Sequence, residues 1–123
     1  MREATHDRGD LMDRSSVAGR AIGTGFSREA RIACEAFRAT ISYLPHTSQH
    51  WLYVIPSYPA CIAVNRALDS DQFSHALAIG LGHILSFHQD RDVYIYGPDF
   101  VPHGDRDGEH VEAELFARAF SES

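Results

Sequence analysis

Histidines are the side chains best suited to chemistry in this sequence, and the 123-residue chain has eight of them. Imidazole binds metal ions and changes its charge near neutral pH, so each histidine is a candidate ligand or acid–base group. Two stand out by position: His83 lies near the end of one predicted helix and His110 near the start of another. A pair of imidazoles on neighbouring helices can hold a metal or a polar ligand between them. The alternative is that His83 is a semi-buried, hydrogen-bonded histidine without metal and that His110 is exposed at a helix start.

The residues before His83 decide which of these chemistries is available. A zinc-peptidase helix carries two histidines four residues apart, so that both imidazoles reach one metal, and a glutamate after the first polarises the metal-bound water. His83 takes the place of the second histidine, but Ile79 stands four residues earlier and Gly80 takes the place of the glutamate. The motif is degenerate, because neither Ile79 nor Gly80 offers a metal ligand or a base.

Apolar periodicity predicts the helices. The first is capped by Ser27, ends at Pro45, and has one apolar face made of Ala30, Ala33, Phe37, Ile41 and Leu44. The second begins within residues 68–71, capped by an aspartate or a serine, and extends to about Phe87. The third covers about 108–120, with Val111 and Leu115 predicted to face inward and Phe116 and Phe120 as further candidates. Gly80 and Gly82 each cost the second helix roughly 1 kcal/mol against alanine, which predicts that another element packs closely there.

Strands are predicted between the helices. Residues 50–55 and 61–64 are aromatic and β-branched, and the turn between them predicts an antiparallel pair. Residues 93–96 predict a further short strand. The loop over 97–108 is either a flap over a groove or simply mobile. Residues 1–26 show no periodicity and are predicted to be disordered or loosely docked.

Three stretches together resemble one known family. They are Ile62-Ala63-Val64-Asn65, the helix ending in Gly82-His83, and Glu112-Ala113-Glu114-Leu115-Phe116-Ala117. In this order they resemble the ImmA/IrrE family of metallo-endopeptidases, over about residues 27–120. The resemblance implies an α+β, zincin-like minimal metallopeptidase domain over 27–123. Its three main helices would pack on a small, two- or three-stranded, mostly antiparallel sheet.

The same resemblance assigns roles to residues. It places the first zinc ligand on Ile79, the general base on Gly80, the second ligand on His83 and the third on His110. Glu114 would support a ligand or act as an additional one, and a shifted register would instead put Glu109 or Glu112 at the third position. The pocket is predicted to include Gly82, His88 and Glu112. General acid–base catalysis raises reaction rates by roughly 10²–10⁴-fold, so hydrolysis without the glutamate should be slow.

Three functions remain open at this stage. The first is a catalytically degenerate, regulatory domain that binds a protein partner such as a repressor or an antitoxin, with no cofactor or only weakly bound zinc. The second is an active zinc metallo-endopeptidase with a rebuilt site of His83, His110 and Glu114. The third is a toxin or antitoxin component without a hydrolytic role.

Composition limits the classes of partner and the cellular compartment that are expected for this chain. The chain carries a formal net charge of −6 and has no basic stretch, which argues against nucleic acid as a direct ligand. It shows no signal-peptide pattern and no run near the roughly 20 apolar residues of a membrane span, so a cytoplasmic protein is expected. Cys34 and Cys61 lie in apolar runs and are predicted to be buried, reduced thiols.

Overall fold

A computed structural model describes residues 30–57, 59–85, 93–103 and 108–122. This part of the chain forms an α+β fold in which three α-helices pack with one four-stranded mixed sheet. The helices are α1 (Ala30–Ala36), α2 (Ser70–Leu85) and α3 (Gly108–Glu122), and the strands are β1 (Thr40–Leu44), β2 (Leu52–Ile55), β3 (Cys61–Asn65) and β4 (Tyr94–Tyr96). None of these helices has the length and apolar character that a membrane crossing requires. The predictions for residues 1–26 and for the Ser27 cap lie outside the described residues.

The strand order in the sheet is β1-β3-β2-β4. β2 runs antiparallel to β3, with Leu52 opposite Val64 and Ile55 opposite Cys61, so the predicted antiparallel pair is confirmed. β4 adds to β2 antiparallel, whereas β1 lies parallel to β3. The expectation of two or three strands is therefore wrong, because β1 was not expected in the sheet.

The first predicted helix was too long. α1 ends at Ala36, Arg38 takes a left-handed backbone conformation with φ 62°, and the amide of Ala39 donates to the carbonyl of Cys34 at 2.9 Å. The apolar steps from Phe37 to Leu44 fit a helical face, but residues 40–44 are also β-branched and aromatic. Pairing with β3 satisfies their backbone groups, and it offsets the roughly 1–2 kcal/mol that a left-handed non-glycine residue costs.

Local hydrogen bonds set the start of α2. The amide of Gln72 donates to Asp69 Oδ1 at 2.8 Å, and the amide of Asp69 donates to Gln72 Oε1 at 3.0 Å, which is a reciprocal capping box. The side chain of Asn65 links the end of β3 to the loop before β2. Its Nδ2 donates to the carbonyls of Ser48 and His50, and its Oδ1 accepts from the amide of Ala67. These bonds fix how α2 leaves the sheet.

α2 is the central helix and packs against α1, α3, β2 and β3. All residues from Ala76 to His83 are buried. A Cβ atom built on Gly82 would lie 3.0 Å from the carbonyl oxygen of Ala113, and one on Gly80 would lie 2.7 Å from Ile62 Cδ1. The prediction that these glycines mark close packing is confirmed, with α3 as the neighbour at Gly82 and the sheet as the neighbour at Gly80.

Both cysteines are free thiols, as predicted. Cys34 is fully buried, and this burial, together with the nearby Glu35 carboxylate, raises the pKa of its thiol to about 12. The prediction of burial is wrong for Cys61, which is only half-buried and whose Sγ lies 3.6 Å from Ser42 Oγ. Because the thiolate is the reactive form, Cys34 is a packing residue rather than a nucleophile.

Candidate functional site

The end of α2 and the start of α3 bring two buried histidines together around a tyrosine. His83 is 0% exposed and His110 is 4% exposed, and their ring centroids are 5.6 Å apart. The hydroxyl of Tyr96 lies 2.6 Å from His83 Nε2 and 3.0 Å from His110 Nδ1. One phenol oxygen on β4 therefore bridges an imidazole from each helix.

This bridge restricts the protonation of the two imidazoles. A phenol has a single proton, so the Tyr96 hydroxyl donates to one of the two nitrogens at most. In at least one of the two hydrogen bonds the imidazole nitrogen must therefore be protonated and donate to the phenol oxygen. That nitrogen is either His83 Nε2 or His110 Nδ1. The three side chains form a linked proton-sharing unit inside the protein.

Strand β4 supplies the rest of the surroundings. Tyr94 and Tyr96 alternate with Ile95, so both tyrosines face the helices, and each is 1% exposed. The Tyr94 ring stacks on His83 with centroids 4.0 Å apart and 20° between the planes. The Tyr94 hydroxyl donates to Glu109 Oε1 at 2.6 Å. Sequence reasoning missed both tyrosines, although the Tyr-Ile-Tyr alternation was the signal that indicated a two-sided strand.

The positions of the degenerate motif lie in the core. Ile79 is fully buried one turn before His83. Gly80 faces the sheet, because a Cβ on it would meet three atoms of Ile62 at 2.7–3.0 Å. Ile62 is itself fully buried. A glutamate at position 80 would have to displace Ile62 before it reached any metal.

Glu114 has partners outside the His83–His110 pair. Its Oε1 lies 3.4 Å from His75 Nε2 and 4.0 Å from an Arg118 nitrogen. The hydrogen bond and charge of His75, with a smaller contribution from Arg118, lower the pKa of Glu114 against the opposing effect of burial. His75 thus contacts the Glu114 carboxylate and also packs edge-on against Phe100.

A cavity of about 330 Å³ opens beside these groups, and we call it the histidine cavity. Its lining includes His75, Tyr96, Asp99, Phe100, Pro102, His110, Glu114 and Arg118. His110 and Tyr96 thus contribute to the cavity wall, whereas His83 does not line the cavity. Residues 97–103 form one wall: the amide of His103 donates to the carbonyl of Ile95 at 2.8 Å, and Phe100 packs edge-on against Trp51.

The Glu114 contacts predict a pH-dependent contribution to stability. Because its pKa is lowered by folding, Glu114 stabilises the native state above the ordinary glutamate pKa, and this contribution disappears as pH falls through the lowered value. Replacing Glu114 with glutamine should cost less than about 1 kcal/mol at neutral pH, since the side chain is 36% exposed and screened by solvent.

Urea unfolding of wild type and Glu114→Gln from pH 7 down to about 3 checks this, because the range crosses the usual glutamate pKa near 4.3. The stability difference should shrink as the solution becomes acidic. Arg118→Gln is the control, because it removes only the weaker of the two partners. A difference that stayed constant across the whole range would contradict the role of the Glu114 charge.

The remaining predicted residues lie as follows. Gly82 contacts the backbone of Ala113 and the Cβ of Phe116, so it serves the contact between α2 and α3. Glu112 is half-buried on α3. Glu109, proposed for a shifted register, accepts the Tyr94 hydrogen bond. The prediction for His88 lies outside the described residues.

The side chains that could donate to a metal here differ from the set that a zinc ion needs. A catalytic zinc ion takes three protein ligands in tetrahedral geometry. His83 Nε2 and His110 Nδ1 both face the Tyr96 hydroxyl, and Glu114 pairs with His75. Over residues 30–57, 59–85, 93–103 and 108–122, no group of three or more His, Cys, Asp or Glu side chains is arranged to hold a metal ion. The arrangement therefore does not fit a three-ligand zinc site.

Comparison of the chain with protein-family models, with curated proteins and with solved structures finds no match.

Proposed function

We propose that this chain is a catalytically degenerate, metallopeptidase-like domain of the ImmA/IrrE type that acts in the cytoplasm as a protein-binding, regulatory module. The observation that carries the proposal is the pairing of His83 with His110, at 5.6 Å between ring centroids. These are the two positions that the resemblance assigned to surviving metal ligands on separate helices. They lie 27 residues apart in sequence, so their proximity depends on helix packing.

The loss of hydrolysis follows from three neighbouring features. Gly80 offers no carboxylate to activate water, and Ile79 offers no ligand. The hydroxyl of Tyr96 lies within hydrogen-bonding distance of both imidazole nitrogens, which in a peptidase would face the metal. Without a general base, the roughly 10²–10⁴-fold contribution of acid–base catalysis is missing.

The histidine cavity is the surface that we assign to the partner. It combines carboxylates, an arginine and the exposed part of an aromatic residue, which suits a peptide segment with both polar and apolar side chains. A repressor or antitoxin segment is the partner class that the resemblance implies. Arg118 lies at the cavity edge with 65% of its side chain exposed, so it is available for contact.

Binding and cleavage are tested together. The purified chain is titrated by calorimetry with the proteins encoded by the genes on either side of its own, and each mixture is then incubated with zinc and examined by intact-mass spectrometry. We expect one of them to bind without being cleaved, and we expect Arg118→Glu to weaken that binding about tenfold or more. Absence of binding to both proteins would contradict the proposal.

A second candidate is an active zinc metallo-endopeptidase with a site rebuilt from His83, His110 and Glu114. The closeness of the two imidazoles also favours it. It requires the Tyr96 hydroxyl to leave the bridge and Glu114 to leave His75. Stoichiometric zinc in the purified protein, together with partner cleavage that a chelator and His110→Ala both abolish, would establish this candidate and exclude the degenerate module.

A further inference from the structure

A second cavity lies where the parallel strands β1 and β3 end and helix α2 begins. It has a volume of about 410 Å³, and we call it the arginine cavity. Leu44 and Asn65 are opposite each other at the carboxyl ends of the two strands. Its lining comprises Arg31, Tyr43, Asn65, Arg66, Leu68, Asp69, Ser70 and Phe73. None of these residues lines the histidine cavity.

Two guanidinium groups in this cavity are positioned by aromatic rings. Arg66 Cζ lies 5.6 Å from the centroid of Tyr43, and Arg31 Cζ lies 5.9 Å from the centroid of Phe73. The two rings stack on each other at 6.0 Å with 11° between their planes. Arg31 also donates from Nη2 to the Tyr43 hydroxyl at 3.0 Å. Such contacts restrict both side chains before any ligand arrives, which lowers the entropy lost on binding.

These guanidinium groups keep hydrogen-bonding capacity. Each has five N–H donors, and neither forms an ion pair with a carboxylate in the part of the chain that the structure describes. Asp69 is the acidic side chain in the lining, and its Oδ1 already accepts from the amide of Gln72 in the helix cap. In a chain with a net charge of −6, two arginines without carboxylate partners form a local positive site.

We infer that the arginine cavity binds the phosphate monoester group of a small organic molecule. Guanidinium matches the geometry of phosphate oxygens with two parallel hydrogen bonds, and two such groups suit a doubly charged anion. The amino-terminal end of α2 at Ser70 adds a favourable dipole. The volume exceeds what a phosphate needs and falls in the range typical of small-molecule sites, so it leaves room for an attached group. This site is independent of the function proposed for the histidine cavity.

The test measures amide chemical shifts of the full chain while inorganic phosphate, adenosine 5′-monophosphate or citrate is added at constant ionic strength. We expect saturable shifts around Arg66 and Ser70 with both phosphates, tighter binding of the nucleotide than of inorganic phosphate, and weaker binding of citrate. Arg66→Gln should weaken phosphate binding about tenfold or more, because it removes charge-assisted hydrogen bonds.

A matched set of variants distinguishes a specific loss of phosphate binding from a loss of folding. Asp69→Asn retains a good helix cap but removes the negative charge, so it should tighten phosphate binding severalfold. Arg38→Gln makes the same charge change as Arg66→Gln at an exposed arginine that lines neither cavity, and it should leave affinity almost unchanged. Equal losses in Arg66→Gln and Arg38→Gln, tighter binding of citrate than of phosphate, or non-saturable shifts would each overturn the inference.

Discussion

Replacing Tyr96 with phenylalanine is expected to lower the free energy of unfolding by about 2–4 kcal/mol. The hydroxyl lies 2.6 Å from His83 Nε2 and 3.0 Å from His110 Nδ1, and all three side chains are buried. The substitution removes one oxygen atom and with it two hydrogen bonds. Each imidazole loses its bond to this hydroxyl, and because both rings are buried, water has little access to replace it. A buried polar group that loses its partner costs about 1–3 kcal/mol, so two such losses give a large effect.

Tyr94→Phe provides the matched control for this prediction. It removes the same hydroxyl from the same strand, but the bond lost is to Glu109, whose half-buried carboxylate has access to water. Its cost should therefore be smaller, about 1 kcal/mol. Denaturant unfolding monitored by circular dichroism measures both variants. Equal costs for the two tyrosines would show that Tyr96 does not bridge the histidines in solution.

The Tyr96 result also bears on the choice between the two proposed functions. If the imidazoles hold zinc in solution, the hydroxyl is not between them, and Tyr96→Phe should leave the metal-loaded protein close to wild-type stability. A large loss of stability in metal-free buffer that zinc does not restore would support the degenerate module.

Gly80→Ala is expected to destabilise the protein by about 1–2 kcal/mol, although alanine is the better helix former by about 1 kcal/mol. The new methyl group would lie 2.7 Å from Ile62 Cδ1, 2.8 Å from Cγ1 and 3.0 Å from Cγ2. Cδ1 is the far end of the side chain, whereas Cγ1 and Cγ2 are bonded directly to Cβ, close to the backbone, and Ile62 is fully buried. Relief therefore requires a shift of the side chain or of the helix against the sheet.

Three further proteins make this prediction specific: Ile62→Ala, the Ile62→Ala/Gly80→Ala double variant, and Gly108→Ala. In an Ile62→Ala background the obstructing atoms are gone, so Gly80→Ala should become stabilising, because it then adds helix propensity and fills space. Gly108→Ala is the control, since a Cβ there meets nothing within 4 Å. Urea unfolding of wild type, Gly80→Ala, Ile62→Ala and the double variant gives the coupling energy between positions 62 and 80. Destabilisation by Gly80→Ala that persists in the Ile62→Ala background would exclude Ile62 as the cause.

The same contact bears on the ancestry that we propose. Restoring Ile79→His and Gly80→Glu should create zinc binding if the helices are arranged as in a metallopeptidase. The structure adds a condition, because Ile62 obstructs position 80, so the repair is better made together with Ile62→Ala. A folded triple variant that binds no zinc would count against the resemblance, which stays a prediction.

Several elements were predictable because their determinants are local. Asp69 and Gln72 cap α2 by bonds across three residues, and the strands β2 and β3 are joined by a short turn. The buried face of α3 was predicted only in part, because Phe116 and Phe120 are buried but Val111, which was predicted to face inward, is 40% exposed. The burial of His110, and the environment that it shares with His83, did not follow from this spacing.

β1 and the Tyr96 bridge were not predictable from local pattern. Residues 40–44 satisfy helical and strand spacing about equally, and the choice depends on hydrogen bonds to β3, about twenty residues further along the chain. The arginine cavity likewise needs that parallel pairing, because Tyr43 lies on β1 while Arg66 follows β3.

The sequence by itself determined which residues are available for chemistry: two histidines on neighbouring helices, and a helix whose ligand and base positions hold isoleucine and glycine. Only the tertiary structure decided what those residues face. A side chain's partners are set by which elements pack together, and one hydroxyl on β4 reaches both imidazoles because α2 and α3 approach closely at Gly82.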